Sequence, residues 1–140
     1  MGEEKKLTVP AKLEELDRVL EFVQQELEAF RCSQKSQTQI AIAEEEIFVN
    51  IVHYAYPSRP NGMVTVTCRM EENPPSAVIQ FTDNGIPYNP LEQKEPDVSL
   101  SAEKRSIGGL GIFMVKKTMD QIRYEFRDGK NILTMKKKLS

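Results

Sequence analysis

Histidine is almost absent from this chain, cysteine is scarce, and no apolar run approaches the length of a membrane span. The single histidine, His53, excludes a histidine-rich metal centre. Cys32 and Cys68 lie far apart and match no metal-binding spacing, so they read as free thiols in a cytoplasmic protein. The first residues, Met1-Gly2-Glu3-Glu4-Lys5-Lys6, are charged and carry no signal-peptide core. Neither sign of charge dominates. A net charge of -2 gives no global pull toward nucleic acid or an anionic membrane, and neither is expected as a direct partner. Lys136-Lys137-Lys138, the one basic run, reads as a solvated strand end. Internal repeats and low-complexity segments are missing too. What is present, 140 residues with 39% hydrophobic content, suits a single domain over positions 1–140 with a proper core.

Periodicity divides the chain into two kinds of element. Leu13, Leu16, Leu20, Val23, Leu27 and Phe30 recur at alternating steps of three and four, which predicts one amphipathic helix. A second helix is expected from Ser36 or Thr38 to about Tyr54, ended by Pro57 and by Ser58-Arg59-Pro60-Asn61-Gly62. Three stretches alternate with period two: Val64, Val66, Cys68, Met70; Ala77, Ile79, Phe81; and Ile122, Tyr124, Phe126. Asp128-Gly129 fits a two-residue hairpin loop and would set Tyr124 opposite Leu133 and Ile122 opposite Met135. A short strand at Lys6–Val9 and a helix from Leu110 to Met119 complete the set. Helices in one group and antiparallel strands in another argue for an α+β fold, a two-layer α/β sandwich. The stretch Tyr88–Ile107 has two prolines, several charges and little periodicity, so it is expected to be a mobile lid.

Three short motifs carry the chemistry. From Ile47 to Val52 the second helix is apolar nearly all round, and Glu46, Asn50 and His53 form one polar row at i, i+4 and i+7. That row is either a surface stripe beside Glu44 and Glu45 or the lining of a wet cavity, where the Asn50 oxygen would suit a hard cation. Asp83-Asn84-Gly85 is either a plain turn or the polar end of a strand. Asp83 shares the parity of Ala77, Ile79 and Phe81, so its acceptor-only carboxylate would need a donor such as an adenine amino group, with Gly85 leaving room for the flat base. Gly108-Gly109-Leu110-Gly111 precedes an apolar run. It is either a hinge or a loop whose amide N–H groups, with a helix N-terminus, hold an anion. No Gly-Lys-Ser/Thr follows, so it is not a Walker loop, and the spacing also fails the Rossmann fingerprint.

Together these motifs resemble those of the GHKL superfamily of ATP-binding domains, and within it the anti-sigma factor serine/threonine kinases. Glu45-Glu46-Ile47-Phe48-Val49-Asn50 resembles the N motif. Asp83-Asn84-Gly85-Ile86-Pro87-Tyr88-Asn89-Pro90 is similar to the first glycine motif, and Gly108 to Lys117, running on to Met119-Asp120, to the second. The resemblance covers Leu7 to Lys138. It implies a Bergerat-type sandwich with ATP between helices and sheet. Glu46 would match the general base, Asn50 the magnesium-holding asparagine and Asp83 the adenine-binding aspartate. Gly85, Gly108, Gly109 and Gly111 would match the lid and phosphate glycines, and Pro87 and Leu110 fall inside the same motifs. Arg105 is a candidate phosphate contact, and Thr134 looks like the hydroxyl residue that supports the adenine site. His53 stands where branch members carry a basic residue, and Tyr54 where they carry histidine. It is thus a candidate phosphate-side residue or a helix-end packing residue.

The function this resemblance implies is a protein kinase that uses ATP and magnesium. It would phosphorylate a serine or threonine of an antagonist (anti-anti-sigma) protein, and it would also bind a sigma factor. The rival expectation is a non-catalytic ATP-binding module that regulates by partner binding alone. Oligomeric state is left open, a homodimer included.

Overall fold

The computed structural model describes residues 3–57, 61–92 and 109–140. Among these, five strands form one antiparallel sheet and three α-helices pack on one of its faces. The strands are β1 (Lys5–Pro10), β2 (Met63–Glu71), β3 (Ser76–Asp83), β4 (Gln121–Arg127) and β5 (Lys130–Lys138), in the spatial order β1-β2-β3-β5-β4. The helices are α1 (Leu16–Ala29), α2 (Gln34–Tyr54) and α3 (Gly109–Thr118), with short 3-10 turns at Leu13–Glu15 and Pro90–Glu92. This is the expected α+β two-layer sandwich.

Local chemistry accounts for the boundaries. Asp128 and Gly129 both adopt positive φ (55° and 76°), the requirement of a type I′ hairpin turn. The register that follows pairs Tyr124 with Leu133 and Ile122 with Met135, as the loop length requires. α2 starts earlier than the apolar pattern suggests. Ser33 caps it by accepting from the Ser36 N–H at 3.2 Å, and the first turn is polar, so hydrophobic periodicity could not reveal it. Leu13 sits in the 3-10 turn and is largely exposed, whereas Val19, Val23 and Leu27 carry the buried stripe of α1.

The core lies between the layers. Val64, Val66, Cys68 and Met70 of β2, Ile79 and Phe81 of β3, and Leu133 and Met135 of β5 meet Ile40, Ile47 and Phe48 of α2 and Ile112 and Val115 of α3. Both cysteines are buried free thiols. No helix among the described residues is long and apolar enough to cross a membrane.

One charged group breaks the pattern of this core. Glu44, Glu45 and Glu46 step around α2 by about 100° each, so they meet three environments: buried, exposed and half-buried. Glu44 does not belong to a surface stripe. It is 1% exposed, its Oε1 has no hydrogen-bond partner among the described residues, and burial raises its pKa well above the ordinary carboxylate range.

Candidate nucleotide site

A pocket opens between α2 and the sheet. It is lined by Ile47, Asn50, Ile51 and Ala55 from the helix side and by Phe81, Asp83, Tyr124, Asn131 and Leu133 from the strands. Tyr88 and Pro90 close it from the loop after β3.

Asn50 is 2% exposed on the inner face of α2. Its Nδ2 donates to the Glu46 carbonyl at 2.7 Å, one turn back along the helix, which turns Oδ1 away from the backbone and toward the Tyr88 hydroxyl at 3.3 Å. An amide oxygen held in this way suits a hard cation. Among the described residues no group of three or more His, Cys, Asp or Glu side chains could hold a metal by itself.

Asp83 ends β3 with its side chain 4% exposed. Its Oδ1 accepts from the Gly85 N–H and from Asn131 Nδ2, both at 2.9 Å. Burial pushes its pKa up, and those two hydrogen bonds only partly offset the effect. With Oδ1 engaged twice, Oδ2 is left as an acceptor for a donor entering the pocket. Gly85 also has a structural use. A Cβ there would strike the Ala55 carbonyl, and the neighbouring Ile86 N–H donates to that same oxygen at 2.9 Å. The glycine thus seats the turn on the end of α2.

Asn131 was not among the expected residues, yet it organises this end of the pocket. Its Nδ2 donates to Asp83 and to the Ile86 carbonyl, while its Oδ1 accepts from the Tyr88 N–H and the Tyr124 hydroxyl. Thr134, expected near the adenine, is on the other face of the sheet. Odd-numbered residues of β5 face the helices, so Thr134 points outward and accepts from Gln80 Nε2 at 3.0 Å. Asn131 faces inward directly opposite Asp83. Strand parity in the hairpin, with Leu133 and Met135 inward, was the signal that could have found it.

Glu46 stands where α2 meets the N-terminal turn of α3. Its carboxylate lies against Gly111, so closely that a Cβ on that glycine would coincide with it. Burial, and then the charge of Glu45, raise its pKa, a direction that suits a proton acceptor at neutral pH. Gly109 is the first residue of α3, whose leading N–H groups have no partners within the helix. His53 is exposed at the end of α2, edge-on to Tyr54, and it does not line the pocket; nor does the exposed Pro87. Arg105, Gly108 and all but the start of the expected lid lie outside the described residues, as does the Leu110 side chain.

Residues 9–137 match the model of the histidine kinase-like ATPase domain. The chain belongs to that family. Membership carries ATP binding with it, and distant relatives extend the likeness to the anti-sigma kinases. One is the serine-protein kinase RsbW of Listeria monocytogenes, 28% identical over 101 residues, or 69% of this chain and 63% of that protein. Another is the anti-sigma F factor of Clostridium novyi, 27% identical over 104 residues, 73% of this chain and 71% of that one. Among solved structures, the RsbU and RsbW domains of Rv1364c from Mycobacterium tuberculosis superpose with a TM-score of 0.70. That match covers 99% of this chain and 33% of the other at 14% identity, a likeness of fold. The matched stretch is thus under two thirds of the Listeria kinase's length.

Proposed function

We propose that this ATPase-family chain is a cytoplasmic anti-sigma factor with serine/threonine kinase activity. It would bind ATP with magnesium, phosphorylate an antagonist protein on a serine or threonine, and bind a sigma factor. The observation that carries this reading is the placement of the Glu46 carboxylate against Gly111, at the first turn of α3 and one helical turn from Asn50. A half-buried carboxylate with a raised pKa at that point suits a proton acceptor, which a module that only bound nucleotide would not require. The names of the Listeria and Clostridium relatives, a serine-protein kinase and an anti-sigma factor, point the same way.

The residues divide the work. Asp83, held by Asn131, would accept a hydrogen bond from the adenine amino group, while the N–H groups opening α3 would face the phosphates. Asn50 would hold magnesium, which supplies charge neutralisation at the phosphate oxygens. Glu46 would take the proton of the acceptor hydroxyl as its oxygen bonds to the γ-phosphorus and the bond to the ADP oxygen breaks. The test is to incubate the purified protein with γ-labelled ATP and extract of its own cells. Label on a serine or threonine of a discrete protein, absent with Glu46→Gln, is expected. ATP binding without any transfer would leave only a regulatory module.

A further inference from the structure

Three strands bring Asp83, Asn131 and Tyr124 to the same end of the helix-facing side of the sheet. Asp83 of β3 pairs directly with Asn131 of β5, and Tyr124 of β4 stands two residues from Phe126, the other partner of Asn131. All three line the pocket. Backbone groups decide which way the Asn131 amide faces. The Ile86 carbonyl can only accept, and it takes Nδ2 at 2.8 Å. The Tyr88 N–H can only donate, and it meets Oδ1 at 3.0 Å. The amide is thus fixed with its oxygen toward Tyr124, and the phenol commits its one proton to that oxygen. What Tyr124 then offers a group entering the pocket is an acceptor and never a donor. Asp83, with Oδ1 engaged by the Gly85 N–H and by Asn131, offers the same through Oδ2.

We infer that Tyr124 determines base specificity: its hydroxyl oxygen accepts the second N–H of an exocyclic amino group whose first N–H goes to Asp83. The inference rests on reading this pocket as the ATP site. An amino group carries two N–H donors, and the polar end of the pocket presents two acceptors, from the strands on either side of β5. A 6-oxo purine would set its carbonyl against both. Buried groups left unpaired in this way are what discriminates best between similar ligands. Asn131 is the reason the phenol cannot adapt, because turning its proton toward such a carbonyl would strip a donor from the amide oxygen.

Titration calorimetry with the magnesium complexes of ATP, N6-methyl-ATP and inosine triphosphate, on the wild type and Tyr124→Phe, tests this. The wild type should bind ATP about tenfold more tightly than N6-methyl-ATP, which has lost one N–H, and should reject inosine triphosphate more strongly still. Tyr124→Phe keeps the ring without the acceptor. Its affinity for ATP should fall by about tenfold, and its preference for ATP over N6-methyl-ATP should shrink to about threefold or less. A phenol with a merely structural role would weaken both ligands alike, so an unchanged ratio would overturn the inference. Wild-type protein that binds inosine triphosphate as tightly as ATP would overturn it too. A second measurement needs no substitution. In wild-type protein saturated with ATP carrying 15N in its amino group, one amino proton should show an Overhauser contact to the Tyr124 ring protons flanking the hydroxyl. Absence of that contact at saturation would also overturn the inference. Wild-type protein that binds no magnesium-ATP would instead remove the ATP reading, and the role of Tyr124 with it.

Discussion

The Glu46 carboxylate occupies the space that a side chain at Gly111 would need. The first residue is on α2 and the second on α3, so the contact ties the position of a proposed base to the helix whose N-terminus would meet the phosphates.

Gly111→Ala therefore isolates that relationship. Alanine is the better helix former, so α3 itself should not suffer. The methyl group would push the carboxylate aside, and a misplacement of about 1 Å can cost on the order of 10²-fold in rate. Phosphoryl transfer should fall by about that much while calorimetry shows a far smaller loss of ATP affinity. Transfer at the wild-type rate would mean that the carboxylate's position is irrelevant.

Glu46→Gln probes the proton rather than the position. The amide keeps the shape beside Gly111 but cannot accept a proton, so transfer should drop by about 10²–10⁴-fold with ATP affinity retained. The comparison of initial rates at saturating ATP decides it. An undiminished rate would take Glu46 out of the mechanism.

The fold was largely legible because it rests on local signals. Period-two strands, a heptad-like stripe on α1 and the Asp128-Gly129 loop each declared themselves, and the hairpin register followed from the loop alone. The site was legible only in part. Motif spacing pointed to Glu46, Asn50 and Asp83, but which β5 side chain meets Asp83 depends on the pairing of β3 with β5, strands far apart in the chain. Thr134 has the suggestive hydroxyl and the wrong parity, while Asn131 has the right parity and drew no attention. Tyr88 and the buried state of Glu44 were hidden for a similar reason. A loop ring's resting place, and which of three consecutive glutamates turns inward, depend on packing between elements rather than on residue type.

The pairing of Asp83 and Asn131 gives a contrast that parity alone would predict. Asn131→Ala removes one of two donors to Asp83 Oδ1, and with it the hold on the Ile86 carbonyl and the Tyr88 N–H. ATP binding should weaken by about 1–3 kcal/mol, with a smaller preference for ATP over GTP. Thr134→Val, on the opposite face, should change ATP affinity by no more than about 0.5 kcal/mol. The reverse ranking of the two variants in calorimetry would return Thr134 to the adenine site.

Glu44 predicts a pH dependence of stability with a definite sign. Its neighbours include the Cys68 thiol, whose pKa is pushed up to about 12 by burial first and then by the charges of Glu26 and Glu44. Buried, and with no partner for Oε1 among the described residues, the Glu44 carboxyl holds its proton in the folded chain to a pH well above its ordinary value near 4.5. The unfolded chain releases that proton at the ordinary value. Between the two the folded state binds more protons, so stability falls as pH rises from about 4.5 and levels off above the folded pKa. Within that window the Glu44 contribution to the slope approaches about 1.4 kcal/mol per pH unit. Glu44→Gln resembles the protonated acid in shape and cannot ionise. The variant should match the wild type near pH 4.5 and be the more stable by pH 8, with a flatter profile in urea unfolding across that range. Parallel profiles for the two proteins would show that Glu44 ionises as freely in the fold as outside it.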